Sequence, residues 1–255
     1  MKDKFIVTAA ITGAIHTPTM SPYLPITSDE IVEEAGRASD AGAAVVHIHA
    51  RDPEEGKPFG TPEMFAELLP RIKTRSSAVI CTTTGGALGQ TAEQRVAVVK
   101  RFSPELASLN AGSMNFAIFP ALDKIKEFKH TWEPEYLGMT EDFIFPNTFK
   151  TLKQFSRHFN EEGTKPEFEV YDVGMLNNLA FLVEKGHIQK PLYLQFVLGI
   201  LGGIPATVSN LMFMLNTAKE MFGDAFVWSV CAAGREQFRM CNLALIMGGN
   251  TRVGL

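Results

Sequence analysis

The stretch "AAVVHIHARDP" (residues 43–53) decides the fold. It begins as a near-continuous run of small and β-branched apolar residues, which is typical of a strand buried on both faces. The run gives way to arginine, aspartate and proline, so the strand ends near residue 50. Before it, "TSDEIVEEAGRASDAG" (27–42) has a cap signal followed by apolar residues at helical spacing. A helix followed by a doubly buried strand predicts a parallel sheet built from βα units.

The same unit recurs along the chain, and we predict eight strands with helices between them. The predicted strands cover residues 5–13, 43–50, 77–86, 106–113, 166–172, 192–199, 225–234 and 250–255. Eight such units in 255 residues predict a single α/β domain over residues 1–255, a (β/α)₈ TIM barrel. A doubly wound open sheet is the alternative, but no G-x-G-x-x-G motif follows the first strand.

Three features depart from a regular barrel. Pro70 lies inside the predicted helix over residues 61–75 and is expected to kink or end it. Residues 114–146 are rich in scattered aromatic residues and prolines, which suggests an insertion over one barrel face, as a lid. The last unit has a strand but no eighth helix, so we expect the protein to continue beyond Leu255.

Composition narrows the classes of function. The formal charge of −4 argues against a nucleic-acid partner, and no run of about 20 apolar residues is present to span a membrane. Three cysteines without metal-ligand spacing, in apolar surroundings, indicate buried thiols in a reducing compartment. A cytoplasmic location is therefore expected.

The histidines His47 and His49 stand two residues apart, so their side chains share one face of the second strand. At the carboxyl end of a barrel strand, where barrel enzymes hold their catalytic groups, such a pair could bind one metal ion. Two hydrogen-bonded histidines in a polar barrel mouth are the alternative. The remaining histidines are predicted in loops or helices, so a carboxylate is favoured as a third ligand.

Other strand ends carry polar residues suited to a substrate. The third strand ends in Thr83, Thr84, Gly85 and Gly86, and its glycines would let backbone N–H groups approach an anion. An ordinary strand-to-helix turn is the alternative there. Ser108 and Asn110 end the fourth strand, where a buried asparagine needs hydrogen-bond partners. Glu169 on the fifth strand and Arg252 on the eighth would each require a partner inside the barrel.

Taken in order along the chain, "VVHIHARDP", "TTTGG", "LNAGS", "PEFEVYDVGM" and "MGGNTRVGL" resemble the β-keto acid cleavage enzymes. That resemblance implies a homotetrameric (β/α)₈ barrel with one zinc ion. It also implies a reaction in which a β-keto acid and acetyl-CoA give acetoacetate and a new acyl-CoA. His47 and His49 fall on the family's zinc ligands. Thr83, Gly86 and Ser108 fall on substrate-contacting positions.

The resemblance further implies catalytic roles for two residues. Glu169 corresponds to a carboxylate near the metal and the substrate, and Arg252 to the arginine that orients a catalytic aspartate. The family motif continues after "RVGL" with Glu-Asp-Asn, which supplies a zinc ligand and the base, and we expect these residues beyond Leu255.

One position differs from the aminohexanoate-cleaving members of the family. They have a glutamate that binds the substrate's ammonium group, and Ile15 stands there in this chain. We therefore expect a substrate without an amino group. Two alternatives remain open: a zinc-dependent barrel hydrolase, which would need further histidines at later strand ends, and a catalytically silent barrel.

Overall fold

The computed structural model describes residues 4–86 and 89–254. Along these residues the chain alternates between strands and helices. The strands are β1 (Val7–Ala10), β2 (Val45–Ile48), β3 (Val79–Thr82), β4 (Leu106–Asn110), β5 (Met114–Asn115), β6 (Ile144–Phe145), β7 (Lys165–Val170), β8 (Leu192–Leu198), β9 (Phe226–Ala232) and β10 (Asn250–Gly254). The α-helices are α1 (Ser28–Asp40), α2 (Pro62–Arg75), α3 (Ala92–Phe102), α4 (Trp132–Gly138), α5 (Phe149–Glu161), α6 (Val173–Glu184), α7 (Val208–Phe222) and α8 (Gln237–Ile246).

Eight of these strands close into one parallel barrel in the order β1-β10-β9-β8-β7-β4-β3-β2. The predicted TIM barrel is confirmed, and the open-sheet alternative is excluded because β1 pairs with both β2 and β10. Each predicted strand is present, although β1 is shorter than residues 5–13 and β4 ends at Asn110 rather than residue 113. Residues 111–113, which include Gly112 and Ser113, belong to the loop after the strand.

Threonine caps define where the outer helices begin. Each of five helices follows a threonine whose hydroxyl accepts a hydrogen bond from a backbone N–H in the first turn, which satisfies a donor that the helix leaves unpaired. The five caps are Thr27, Thr61, Thr91, Thr148 and Thr207. Pro70 does not end α2, which continues to Arg75. The first turn of α2 contains the other proline, Pro62, where the missing N–H has no helical partner to lose.

Side chains alternate along each strand between the outer face of the barrel, beneath the helices, and the barrel interior. Alternate residues such as Ile48, Ile80, Leu109 and Phe168 face outward and are buried beneath the helices. The inward residues at the strand starts, which include Val45, Leu106 and Tyr193, form a separate apolar cluster that fills the amino-terminal end of the barrel. Because that end is closed by apolar packing, the polar inward residues are left for the carboxyl end.

Residues 114–146 leave the barrel after β4 and return before α5. The two-stranded antiparallel sheet of β5 and β6 joins the two ends of this segment. Between them lie two 3₁₀ helices, Phe119–Lys124 and Met139–Asp142, on either side of α4. Trp132, Tyr136 and Leu137 of α4 are the buried centre of their own apolar cluster.

No helix within residues 4–86 or 89–254 combines the length and the apolar character that crossing a bilayer requires.

Candidate active site

The two histidines of β2 meet at the carboxyl end of the barrel. The Nε2 atoms of His47 and His49 lie 3.1 Å apart, with the rings edge to face. Burial lowers the pKa of His49 to about 3 and that of His47 well below its usual value, and the positive charges of nearby arginines act in the same direction. Both imidazoles are therefore neutral at pH 7. Two neutral nitrogens aimed at each other need a shared proton or a cation between them.

Cys81 and Glu167 lie beside the histidine pair. The Nδ1 atom of His47 is 3.4 Å from the sulfur of Cys81, and ligand atoms of His47, Cys81 and Glu167 lie within 4.8 Å of one another. This group is also a possible metal site. Burial raises the pKa of Cys81 to about 12, so its thiol is protonated and a poor ligand. Glu167 already contacts Arg252. The histidine pair is therefore the better ligand set of the two.

Arg252 lies on β10, buried among carboxylates. Its Nη1 donates to Oε1 of Glu169 at 2.6 Å, and its Nη2 contacts Glu167. Burial lowers the pKa of Arg252 to about 10, so the guanidinium keeps its charge at neutral pH. The sequence prediction that a buried Arg252 must have a partner is satisfied twice, because Glu167 and Glu169 point to the same side of β7.

Glu169 is a buried carboxylate whose surroundings change its pKa in opposite directions. Burial raises its pKa to about 7, and the hydroxyl of Tyr171, which donates to Oε2 at 3.3 Å, opposes that rise. Arg252 opposes it too, but one guanidinium is shared between two carboxylates, so the upward direction stands. A carboxyl group that titrates near neutral pH is suited to proton transfer.

The loop after β3 brings the predicted threonines and glycines to the same end of the barrel. The hydroxyl of Thr83 accepts a hydrogen bond from the N–H of Gly85 at 2.9 Å, which shapes the turn. Gly86 has φ +70°, and a Cβ there would lie 2.7 Å from side-chain atoms of Arg95 and Gln90. Thr84 points elsewhere, since its hydroxyl donates to the carbonyl of Ser108. Thr84 therefore ties the loop to β4.

Ser108 and Asn110 are buried on β4, beside β7. Asn110 pairs in register with Glu169, and Ser108 with Glu167. The Nδ2 group of Asn110 is buried and makes no hydrogen bond of good geometry with the described residues, although the amide lies close enough to the hydroxyl of Tyr171 to lower that group's pKa. A buried unpaired donor is costly, so this amide is suited to a polar ligand.

Ile15 follows β1 in a loop and is half-buried. It packs against the main apolar cluster, as do Phe116 and Phe145 of the insertion. The ring of Phe116 lies 6.0 Å from those of both Phe145 and Tyr171, and Tyr171 also contacts Glu169. An apolar wall of aromatic side chains thus lies close to the buried carboxylates.

A small pocket of about 20 Å³ lies beside these groups. It is lined by residues that include His49, Thr83, Gly86, Phe59 and Arg95. One histidine of the pair and two residues of the loop after β3 therefore border a common cavity.

Alternation along the fifth predicted strand places Glu167 on the same face as Glu169. Sequence reasoning missed Cys81 as a site residue, although it is on the inward face of β3 by the same period-2 pattern. The same pattern places Arg51 next in line after His49. The buried Arg95 could not be identified in this way, because it lies on a helix and its partners are the carbonyls of Thr84 and Pro146 and the side chain of Asn147.

A closed parallel barrel whose carboxyl end gathers a histidine pair, a buried arginine and two carboxylates defines a TIM-barrel enzyme. The sequence profile of the beta-keto acid cleavage enzymes matches residues 4–255, and the chain belongs to this family. The resemblance inferred from the motifs is confirmed, and with it the prediction of a β-keto acid cleavage enzyme in place of a hydrolase.

Named relatives agree with this assignment. The chain is 46% identical over 254 residues to a 3,5-dioxohexanoate:acetyl-CoA acetone transferase of Paraburkholderia graminis, covering 100% of this chain and 82% of that protein. It is 38% identical over 253 residues to a 3-keto-5-aminohexanoate cleavage enzyme of Acetoanaerobium sticklandii, covering 99% of this chain and 82% of that one.

Among solved structures, ObcA in a ternary complex with a C4-CoA adduct and oxalate shares the fold. Its TM-score is 0.67 at 22% identity, over 92% of this chain, and this chain spans 57% of that one.

Proposed function

We propose that the protein cleaves a β-keto acid without an amino group, with acetyl-CoA as co-substrate. The approach of two neutral imidazoles, His47 and His49, to 3.1 Å is the observation that carries this proposal. The two imidazoles would hold a divalent ion next to the buried acid–base group Glu169. The relative from Paraburkholderia graminis, whose name gives 3,5-dioxohexanoate and acetyl-CoA as its substrates, supports the choice of substrates.

The overall reaction exchanges acyl groups between the methylene carbon of the β-keto acid and the sulfur of CoA. The acid R–CO–CH₂–COO⁻ and acetyl-CoA give R–CO–S-CoA and acetoacetate. One C–C bond breaks between the keto carbon and the methylene, and one forms between that methylene and the acetyl carbon. The thioester bond of acetyl-CoA is lost and that of R–CO–S-CoA is gained. No external oxidant or reductant is needed.

His47 and His49 fit a zinc ion. Neutral imidazole nitrogens are common zinc ligands. In the tautomer in which Nδ1 of His47 carries the proton and donates to the sulfur of Cys81, Nε2 is free for the ion. A bound divalent ion would supply Lewis-acid polarisation of the keto group.

The chain's own groups would bind the substrate and move its proton. The amide of Asn110, the hydroxyls of Thr83 and Ser108, and the backbone at Gly85 and Gly86 are suited to an anionic carboxylate. Glu169, with its raised pKa, can hold or accept a proton at Oε1 or Oε2. Arg252 would fix Glu169 and balance the negative charge that develops beside it.

Ile15 favours a neutral substrate end. An ammonium group buried against Ile15 and the aromatic wall would lose hydration without gaining a charged partner. The experiment compares 3,5-dioxohexanoate with 3-keto-5-aminohexanoate, which differ only at C5. We expect a higher kcat/KM for the neutral acid, and a reversal toward the amino acid in Ile15→Glu. A clear preference of the unmodified protein for the amino-bearing acid would reject the proposed substrate class.

Three further properties belong to this proposal. Residues 114–146 would cover the mouth of the barrel as a lid within a single domain. The protein would be a homotetramer, which is supported by exposed apolar side chains on α7 and α8, including Phe213, Phe238 and Ile246. It would act in the cytoplasm, which is supported by three unpaired cysteines. Light scattering on the purified full-length protein tests the tetramer.

A further inference from the structure

Arg51 is a buried arginine whose partners are all backbone carbonyls. It is only 2% exposed, and its guanidinium donates to the carbonyls of Thr12, Gly13, His16 and Gly56 at 2.7–3.1 Å. Within residues 4–86 and 89–254 it forms no ion pair with a carboxylate. Three of its four acceptors lie in residues 12–16, which we call the β1 loop, and this loop carries Ile15.

Tyr136 of the insertion holds the same loop from the other side. Its hydroxyl donates to the carbonyl of Ala14 at 2.8 Å, and its ring is buried against Trp132. Burial raises the pKa of Tyr136 to about 12, so the hydroxyl remains a donor. Arg51 and Tyr136 together bind the carbonyls of residues 12, 13, 14 and 16, on both sides of Ile15.

The β1 loop is also tied directly to the histidine pair. The Thr12 hydroxyl accepts from the N–H of His49 at 2.8 Å and donates to the His49 carbonyl at 2.9 Å. The loop therefore has one end fixed at His49 and its carbonyls fixed by Arg51 and Tyr136. This network sets the distance from His49 to the side chain at position 15.

The insertion is anchored to the chain just beyond this loop. The carboxylate of Glu133, fully buried, accepts from the N–H and the hydroxyl of Thr19 and from the N–H of His130. Lys129 donates to the carbonyl of Pro18. These bonds fix the position of α4, and with it that of the Tyr136 hydroxyl.

We propose that Arg51 and Tyr136 are specificity-positioning residues, which hold Ile15 at a fixed place so that it discriminates between substrates at the end remote from the carboxylate. The inference rests on the proposed function, because it concerns selection among β-keto acids. Holding a side chain in place matters because an apolar contact excludes an ammonium group only if neither the loop nor water can move between them.

The test measures selectivity rather than activity alone. The preference ratio is kcat/KM for 3,5-dioxohexanoate divided by that for 3-keto-5-aminohexanoate, measured with the full-length protein. Tyr136→Phe removes one hydrogen bond and keeps the ring, so the ratio should fall about 3- to 10-fold. Arg51→Lys should lower it at least as much, with the KM for acetyl-CoA unchanged in both variants.

Two control variants separate positioning from loss of stability. Tyr193→Phe is a matched control, because Tyr193 is equally buried but packs at the amino-terminal end of the barrel. Arg95→Lys disturbs a second buried arginine that binds the carbonyls of Thr84 and Pro146 instead of the β1 loop. Neither should change the preference ratio, although Arg95→Lys should weaken binding of both acids.

The outcomes distinguish this inference from the proposed function. If the unmodified protein cleaves the neutral acid but Tyr136→Phe and Arg51→Lys lower kcat/KM equally for both acids, the positioning role is rejected. If Arg51→Lys does not fold, Tyr136→Phe decides the question alone. If the unmodified protein cleaves neither acid, the proposed function itself is rejected.

Discussion

Arg252 of β10 donates to Glu169 of β7 at 2.6 Å across the interior of the barrel, and the same guanidinium contacts Glu167. The positive charge of Arg252 is therefore shared between two buried carboxylates. Removing one of these charged groups is expected to lower the stability, because the groups that lose their partner remain buried away from water.

Arg252→Met is expected to destabilise the protein by about 3–5 kcal/mol, since it leaves both glutamates unpaired in the barrel. Urea unfolding measures the loss. Arg157→Met is the matched control, because Arg157 is exposed and its pair with Glu161 is 3.7 Å long. That control should cost under about 0.5 kcal/mol. Equal unfolding midpoints for the two variants would contradict the account of Arg252.

His47→Ala and His49→Ala should each weaken zinc binding by at least about 100-fold, because each removes one ligand from a site with few. Calorimetric titration with zinc alone measures this affinity. His187→Ala is the control, because His187 lies in the turn after α6 and not in β2. Unchanged zinc affinity in both β2 variants would place the ion elsewhere.

Zinc affinity should change less than about 3-fold between pH 8 and pH 6. Histidines with an ordinary pKa near 6.5 would be largely protonated at pH 6, and a pair of them would lose roughly 15-fold in affinity. Burial keeps His47 and His49 neutral throughout this range. A loss of 10-fold or more would show that these histidines titrate normally.

The lowered pKa values of His47 and His49 also make the stability of the metal-free protein depend on pH. The unfolded chain takes up protons on these histidines below about pH 6.5, whereas the folded chain does not. The metal-free protein should therefore lose stability as the pH falls from 6.5 toward 3. Exchange of both histidines for glutamine should flatten that part of the curve.

The thiols should be unreactive in the folded protein. Cys81 and Cys241 are buried, and burial raises the pKa of all three cysteines. For Cys81, with a pKa of about 12, reaction with a thiol reagent at pH 8 should be roughly 1,000-fold slower than for a free cysteine. All three should react in concentrated guanidinium. Prompt reaction of Cys81 in the folded state would contradict this burial.

The barrel and its histidine pair could be predicted from sequence because both depend on local periodicity. Alternation along β2 places His47 and His49 on one side, and it does the same for Glu167 and Glu169 along β7. Pro70 was expected to kink or end its helix, and it does not end it, because α2 continues to Arg75 while its apolar face stays packed against the barrel.

The hydrogen bonds from Arg51 and Tyr136 that hold the β1 loop on both sides of Ile15 could not be predicted. Arg51 binds carbonyls up to 39 residues away in the chain, and Tyr136 reaches Ala14 across 122 residues. Alternation places Arg51 in line with His47 and His49. However, a bond to a backbone carbonyl requires no particular residue type at the acceptor, so the sequence does not indicate which carbonyls Arg51 and Tyr136 bind. The Glu-Asp pair expected after Leu255 remains a prediction.

The most direct measurement is acetoacetate release from 3,5-dioxohexanoate and acetyl-CoA by the full-length protein, with and without a metal chelator. We expect release that needs both substrates, stops with chelator and returns when zinc is added. We also expect loss of release in His47→Ala and retention in His187→Ala. No release from the zinc-loaded protein, or release that chelator leaves unchanged, would contradict the proposed function.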